Sequence, residues 1–388
     1  MIGCRSDPRP TQEAVEDHAV AASQVQPAAS TPPPFDSGDV RIVGYSLQSG
    51  YEPPFRLGAQ AVVDIGGLQG SPDQEFVNGG AYLASVALSG GGYALIDGTR
   101  VRFYADDGTE QSVVGRKGAG PEEFEQITSI CRTRGDTLIV NDPMNGRISI
   151  VTGAGHFVRS LQVGHVELPW GGACFDDGTF LELHTVQGMQ GALAVRVIRR
   201  RVDGRIVDTL GEFANASASP YLRTAASIVA QGSRYYHGDP QSGEIRVYDR
   251  AGRLVGIRRL TDAPEPISSM DRARMTPASW GKRTNDAATR TKEADRLRLA
   301  SKPTAWPRFD RISVDPLGRV WVQHYRRTPE SPFAFTVLDS EGATLGQLRL
   351  PSPQGAGGGW PTGFSARGIV LRHEDPAGGI HLTVYPVE

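Results

Sequence analysis

The strongest constraint on this chain is an internal repeat. A short β-run ends in Ile65-Gly66 and is followed by Gly70-Ser71-Pro72 and Glu75-Phe76. The same events recur at Val114-Gly115, Gly118-Ala119-Gly120-Pro121 and Glu123-Phe124. The glycine returns after 49 positions and the phenylalanine after 48. A β-rich period of this length points to the blades of a propeller. Each unit should hold four strands, a to d, joined by tight turns. The a–b turns read Gly90-Gly91-Gly92, Arg134-Gly135-Asp136, Asp176-Asp177-Gly178, Gln231-Gly232, Asp315-Pro316-Leu317-Gly318 and Ala366-Arg367-Gly368. The c–d turns read Asp106-Asp107-Gly108, Gly153-Ala154-Gly155, Asp203-Gly204, Arg250-Ala251-Gly252 and Ser340-Glu341-Gly342. Glycine serves such turns because they need φ > 0.

Six a–b turns but five c–d turns leave the last unit one strand short, ending near Ile380–Tyr385. A spare strand, Ala61-Val62-Val63-Asp64-Ile65, precedes the first unit. Closure resolves both: the N-terminal strand supplies strand d of the last blade, and no edge is left open. The expected fold is all-β: a six-bladed propeller of four-stranded antiparallel blades. The N-terminal strand closes the last blade, and a partly helical insertion lies between blades four and five. That helix is placed in residues 286–300, which are rich in helix formers and free of glycine and proline. The propeller is expected over residues 41–388. Residues 1–40, with Thr31-Pro32-Pro33-Pro34 and few large apolar side chains, read as a disordered tether. As a flexible coil the tether would span roughly 33 Å.

Residues 59–388 resemble the bacterial six-bladed β-propeller lipoprotein family, a relative of NHL-repeat propellers. Gly115–Phe124 is similar to its blade-junction motif, and Asn141-Asp142-Pro143-Met144-Asn145-Gly146-Arg147-Ile148 to the NHL turn. Trp306-Pro307-Arg308-Phe309, Gly318–Val322 and Val384-Tyr385-Pro386 resemble its C-terminal third. The resemblance implies a fold and a cell-envelope location, periplasmic or anchored by lipid to the outer membrane. It implies no reaction. Met1-Ile2-Gly3-Cys4 looks like the end of a lipoprotein signal, without the charged and apolar regions that normally precede it. Lipidation of Cys4 would leave Cys131 and Cys174 as a pair. Both fall in strand a of consecutive blades, so they should lie close together, bonded or not.

Composition removes several functions. The formal charge of −2 argues against nucleic-acid binding through phosphate neutralisation. No apolar run is long enough to cross a membrane. There is no Gly-x-Ser-x-Gly elbow, P-loop or dinucleotide fingerprint. The expected activity is binding of a protein or small molecule by a monomer, with no cofactor.

In a four-stranded meander the a–b and c–d turns share one face and the longer connections share the other. The long segments 66–81, 115–126, 184–192, 211–224, 261–308, 326–332 and 351–362 all fall on the second face, where specificity is expected. Arg116, Lys117, Arg308, Arg326 and Arg327 fall there with Trp170, Trp306 and Tyr325, a set suited to carboxylates, phosphates or sugars, or to a solvated rim. His324 joins them. Trp360 lies on the same face.

Asp97, Asp142, His184, His237, His324 and His373 all sit near strand-b ends and form a mixed ring. Imidazole and carboxylate could bind a metal, which would make a metal-dependent hydrolase or lactonase the alternative function. Strand b lies one spacing, ~4.8 Å, outside the channel, so neighbours in the ring would be roughly 11 Å apart. That geometry favours strand-end hydrogen bonding. The Asp-Pro turns at Asp142, Asp239 and Asp375 read as structural, each Asp accepting a turn N–H.

Overall fold

The computed structural model describes residues 40–48, 55–67, 76, 84–164, 173–187, 193–214, 222, 226–275, 302–352 and 359–388. The expected helix at 286–300, the loop carrying Trp170, and Cys4 lie outside them.

The described chain is almost wholly β, and its sheets have a propeller-like arrangement. Ser129–Thr133, Thr137–Asp142, Arg147–Thr152 and Phe157–Gln162 form a four-stranded antiparallel meander. Arg311–Val314, Val320–Gln323, Ala334–Leu338 and Thr344–Arg349 form another. The fourth repeat (Ser227–Gln231, Arg234–Asp239, Glu244–Asp249, Leu254–Leu260) carries a fifth strand, Arg41–Tyr45, parallel to its outer edge. Among the described residues the third repeat has three strands, Thr179–Gln187, Leu193–Arg201 and Ile206–Ala214. The first and last repeats merge into one eight-stranded sheet.

The expectation of six separate four-stranded blades is therefore corrected: four sheets have four or more strands, with five, four, eight and four. Two local causes are visible. Gly363 pairs directly with Ser85, joining the inner strands of the last and first repeats. A Cβ at Gly363 would lie 2.5 Å from Ser85 Oγ, so glycine permits the approach. In the third repeat the described part of the inner strand shows a single bridge, Cys174 with Phe180.

The c–d hairpins share one construction. Gly155 takes φ 79° after a tight turn, and a register shift follows at Ile150/Val151. The other four c–d turns show the same shift on strand c. This is a turn completed by a glycine bulge, which adds twist to each outer strand pair.

The apolar core lies between consecutive repeats. Ala94, Ile96 and Phe103 meet Ile130, Leu138 and Val140, and Ile139 and Ile150 meet Phe180. The series returns to its start where Val370, Leu382 and Val384 meet Tyr93, Leu95 and Tyr104. Closure is as expected: Val63–Gly66 pairs antiparallel with Ile380–Tyr385, Val63 opposite Val384 and Ile65 opposite Leu382. Across this seam His381 hydrogen-bonds Asp64 at 2.9 Å and Asp375 at 3.2 Å.

The sequence repeat has a packing explanation. Gly66 and Gly115 have φ 103° and 100°, and each lies against a phenylalanine ring, Phe76 and Phe124. A Cβ at either glycine would come within 2.7 Å of that ring. The NHL-like turn grips the same junction. Asp142 accepts hydrogen bonds from the backbone of Glu125 and Gln126 at 3.0 and 3.2 Å. Asn145 donates to Gly118 O at 2.9 Å, and Arg147 donates to the carbonyls of Ala119 and Glu123.

Cys131 and Cys174 form a disulfide, Cα–Cα 5.7 Å, both about 5% exposed or less. It ties the inner strand of the second repeat to the residual inner strand of the third. Closing 43 residues of separation should contribute about 4 kcal/mol through the unfolded chain. Cys131→Ser with Cys174→Ser is expected to lower the melting temperature by several degrees; an unchanged value in calorimetry would show that the bond is not structural.

The N-terminal strap also crosses the outer edges of three repeats. After Tyr45, Leu47 O and Gln48 O accept from the Gln347 amide, and Phe55 N donates to Gln347 O at 2.8 Å. Leu57 then bridges Val387. A chain beginning at residue 41 should keep the melting temperature of the full chain. A chain beginning at residue 67 should aggregate or melt far lower, because it loses the strap and exposes a sheet edge. Equal melting temperatures for the two truncations would refute closure by this strand.

Candidate functional site

The described residues just after Leu260 and just before Arg311 lie outside the sheets, and the two arms are pinned together. Pro266 bridges Ala305, Ile267 N donates to Thr304 O at 2.8 Å, and Trp306 N donates to Glu265 O at 2.9 Å. A helix, Ser269–Arg274, starts just beyond this stem, capped by Ser268 Oγ accepting from Asp271 N. The stem is rich in proline, which limits backbone freedom where two arms must stay in register.

Beneath the stem lies a cleft of about 440 Å³, walled by Leu47, Gln48, Asp262, Glu265, Trp306 and Arg308 among others. The strap forms one wall because Asp262 holds it: its carboxylate accepts from Ser46 Oγ at 2.5 Å and from Leu47 N at 2.7 Å. The Arg308 guanidinium bonds the Asp262 carbonyl, and Arg308 N donates to Pro240 O at 2.7 Å. Trp306 and Tyr325 rings meet at 5.9 Å, tilted by 32°. Arg327 lies over the indole at 5.3 Å and forms an ion pair with Glu265. The cleft thus combines an aromatic surface, a proline-lined apolar wall and charges of both signs. Such a concave, half-apolar site suits a small ligand.

Trp306, Arg308, Tyr325 and Arg327 are brought together here, as are Asp262, Glu265, Leu47 and Gln48, which the repeat pattern did not flag. The run Arg41-Ile42-Val43-Gly44-Tyr45 carries a β signal, but nothing in it names the sheet it joins. Two other candidates lie nearby and face inward. Arg326 stacks on Phe333 at 3.9 Å and donates to Ser331 O at 2.8 Å, shaping its own loop. His324 Nε2 meets Thr336 Oγ1 at 2.9 Å. Arg116 and Lys117 are remote from the cleft, at the second-repeat junction, paired with Glu123 at 2.9 Å and Glu125 at 3.6 Å. Asp310, also unflagged, accepts from the Gln323 amide at 2.6 Å, and burial raises its pKa.

The strand-end ring does not converge. Asp97 pairs with Arg100 at 2.7 Å, and Asp142 grips the junction backbone. His184 contacts the buried Glu182 at 3.1 Å, and Arg200 also pairs with Glu182. His373 stacks on His381 at 4.9 Å. Among the described residues no group of three or more His, Cys, Asp or Glu side chains could hold a metal ion. The Asp-Pro turns match their structural reading: Asp142, Asp239 and Asp375 each accept a turn N–H.

His237 is unlike the rest. It is 5% exposed, lies against Phe213 at 4.5 Å, and neither ring nitrogen has a hydrogen-bond partner among the described residues. Burial pushes its pKa down to about 4, and burial does the same to His324. An unfolded histidine takes its proton near pH 6.5. Neutral burial therefore contributes stability above that pH, and the contribution is lost as pH falls toward 4, on the order of 3 kcal/mol for each group. His381 has the opposite sign. Burial opposes its charge, but hydrogen bonds to Asp64 and Asp375 outweigh that and raise its pKa. Its contribution is present below its unfolded pKa and fades as pH rises through the folded one. His237→Phe should leave stability at pH 8 intact, since no hydrogen bond is lost. It should flatten the decline of melting temperature between pH 6.5 and 4; an unchanged acid limb would contradict the assignment.

No family model matches the chain, and no curated protein matches it significantly in sequence. Solved structures do resemble it. An exported protein of Bacteroides fragilis, so described provisionally, aligns over 90% of this chain and 99% of its own at 11% identity, TM-score 0.56. A DUF4221 family member from Bacteroides vulgatus aligns over 86% and 99% at 10% identity, TM-score 0.49. A gluconolactonase of Xanthomonas campestris aligns over 79% and 87% at 14% identity, TM-score 0.39. At such identities the likeness concerns the fold alone.

Proposed function

We propose that this chain is an exported propeller that binds a small-molecule or protein ligand in the cleft under the insertion stem, as a member of the envelope-anchored lipoprotein class. The observation that carries the binding reading is a concave site lined by Trp306 and Arg308, with Tyr325 and Arg327 packed against the Trp306 indole at its edge. The Cys131–Cys174 disulfide supports export, because such bonds persist in oxidising compartments. The B. fragilis neighbour's description agrees with that location. The anchor is a lipid on Cys4, and the functional unit is a monomer that uses no nucleic acid and no cofactor.

The alternative, a metal-dependent hydrolase or lactonase, would need the Asp/His ring to gather an ion. Asp97, Asp142 and His184 are instead committed to separate partners. One experiment separates the readings. The full chain, purified without chelator, is analysed for metal and then screened by thermal shift against small-molecule and peptide libraries beside Trp306→Leu. The binding reading expects stabilising ligands whose effect is lost in the variant, and no stoichiometric metal. A bound metal, or ligands indifferent to Trp306, would replace it with the hydrolase reading.

A further inference from the structure

Two carboxylates, Asp262 and Glu265, and the Arg308 guanidinium line the cleft, and Arg327 stands at its edge against Trp306 and Glu265, but these groups are not equivalent. Asp262 is fixed: the strap takes both of its oxygens, and Arg308 holds its carbonyl. Glu265 and Arg327 are held only loosely. Their side chains are 59% and 48% exposed, so the pair is screened by water and contributes at most about 1 kcal/mol. Arg327 is nonetheless well placed, lying over the Trp306 indole at 5.3 Å. A planar guanidinium beside a ring offers two parallel donors to a carboxylate.

We propose, building on the binding reading above, that the cleft takes an acidic sugar. Its carboxylate replaces Glu265 on Arg327, and its ring lies on the indole of Trp306. In this arrangement Glu265 is an internal stand-in for the ligand's carboxylate. A sugar fits better than a wholly apolar acid because Gln48, Asp262 and Arg308 also line the cleft with polar groups. The volume, about 440 Å³, falls within the range of small-ligand sites, about 300–1,000 Å³.

Titration calorimetry on the full chain tests this with three probes: digalacturonate, its neutral counterpart digalactose, and phenylacetate. Digalacturonate should bind about twofold to fivefold more tightly than digalactose, the range open to an ion pair on a half-exposed guanidinium. Arg327→Gln should erase that preference while keeping the parent's melting temperature. Glu265→Gln should tighten digalacturonate binding about twofold to fivefold, because it removes the competitor. A merely structural ion pair would give weaker or unchanged binding in Glu265→Gln. The proposal is overturned if digalactose binds as well as digalacturonate, if Glu265→Gln weakens binding, or if neither sugar binds. Tighter binding of phenylacetate would assign the carboxylate site to aromatic acids and overturn the sugar. If thermal shift finds a Trp306-dependent ligand that is not acidic, this inference fails while the binding reading stands.

Discussion

The fold depends on the seam where its last repeat meets its first, and one short strand pairing is the outer half of that seam. Val63–Gly66 lies against Ile380–Tyr385, and through it the first residues of the repeat region complete the last sheet. The apolar clusters lie between neighbouring repeats rather than within any one of them, so each repeat is stable only when both neighbours are present. An unclosed chain would leave two repeats with one apolar face wet. Four paired residues therefore secure a core distributed over more than three hundred positions. The pairing is reinforced at its rim by His381 between Asp64 and Asp375.

A second consequence is that many polar residues conspicuous in the sequence serve the scaffold. The junction between the first two repeats is hydrophobic at Phe124 and polar around it. Its loop backbone needs partners once packed against the next sheet, and Asp142, Asn145 and Arg147 supply them. Arg116 and Lys117 belong to the same construction, where the Glu123 carboxylate is held by Arg116 and by Gly120 N at 2.8 Å. Repeated charged motifs in a propeller are thus weak indicators of a ligand. Trp306, Arg308, Asp262 and Glu265 instead lie between the fourth and fifth repeats, where the repeat spacing is broken.

How far the sequence could be read follows from the range of the forces involved. Turns and strands are local, so the glycine positions and the closing strand were legible, as was the adjacency of Cys131 and Cys174. The merging of the first and last repeats was not, because it depends on the fit of Gly363 against Ser85, residues 278 positions apart. At the site, the aromatic and arginine residues were visible as types. Their grouping around Asp262 and Glu265 was not, since the strap reaches Asp262 across 216 residues of chain. The histidine ring illustrates the converse error. Equivalent positions in successive repeats share a height on the ring, but they point into different inter-sheet layers and need not meet.

The strap links these two levels. The same segment that pairs beside Leu254–Leu260 supplies Leu47 and Gln48 to the cleft, then passes the fifth repeat and closes the last. Its anchors differ in character. Tyr45 is buried and its hydroxyl donates to Gly243 O at 3.1 Å, whereas Leu47 and Gln48 are held by the Asp262 carboxylate and the Gln347 amide. Tyr45 fixes the position of the strap through apolar burial, and the polar contacts fix the shape of the wall beyond it. A ligand that touches Leu47 or Gln48 would therefore also bear on a segment whose far end completes the ring. Since binding to the folded state alone stabilises that state by mass action, occupancy of the cleft and integrity of the seam should be thermodynamically linked through residues 46–66.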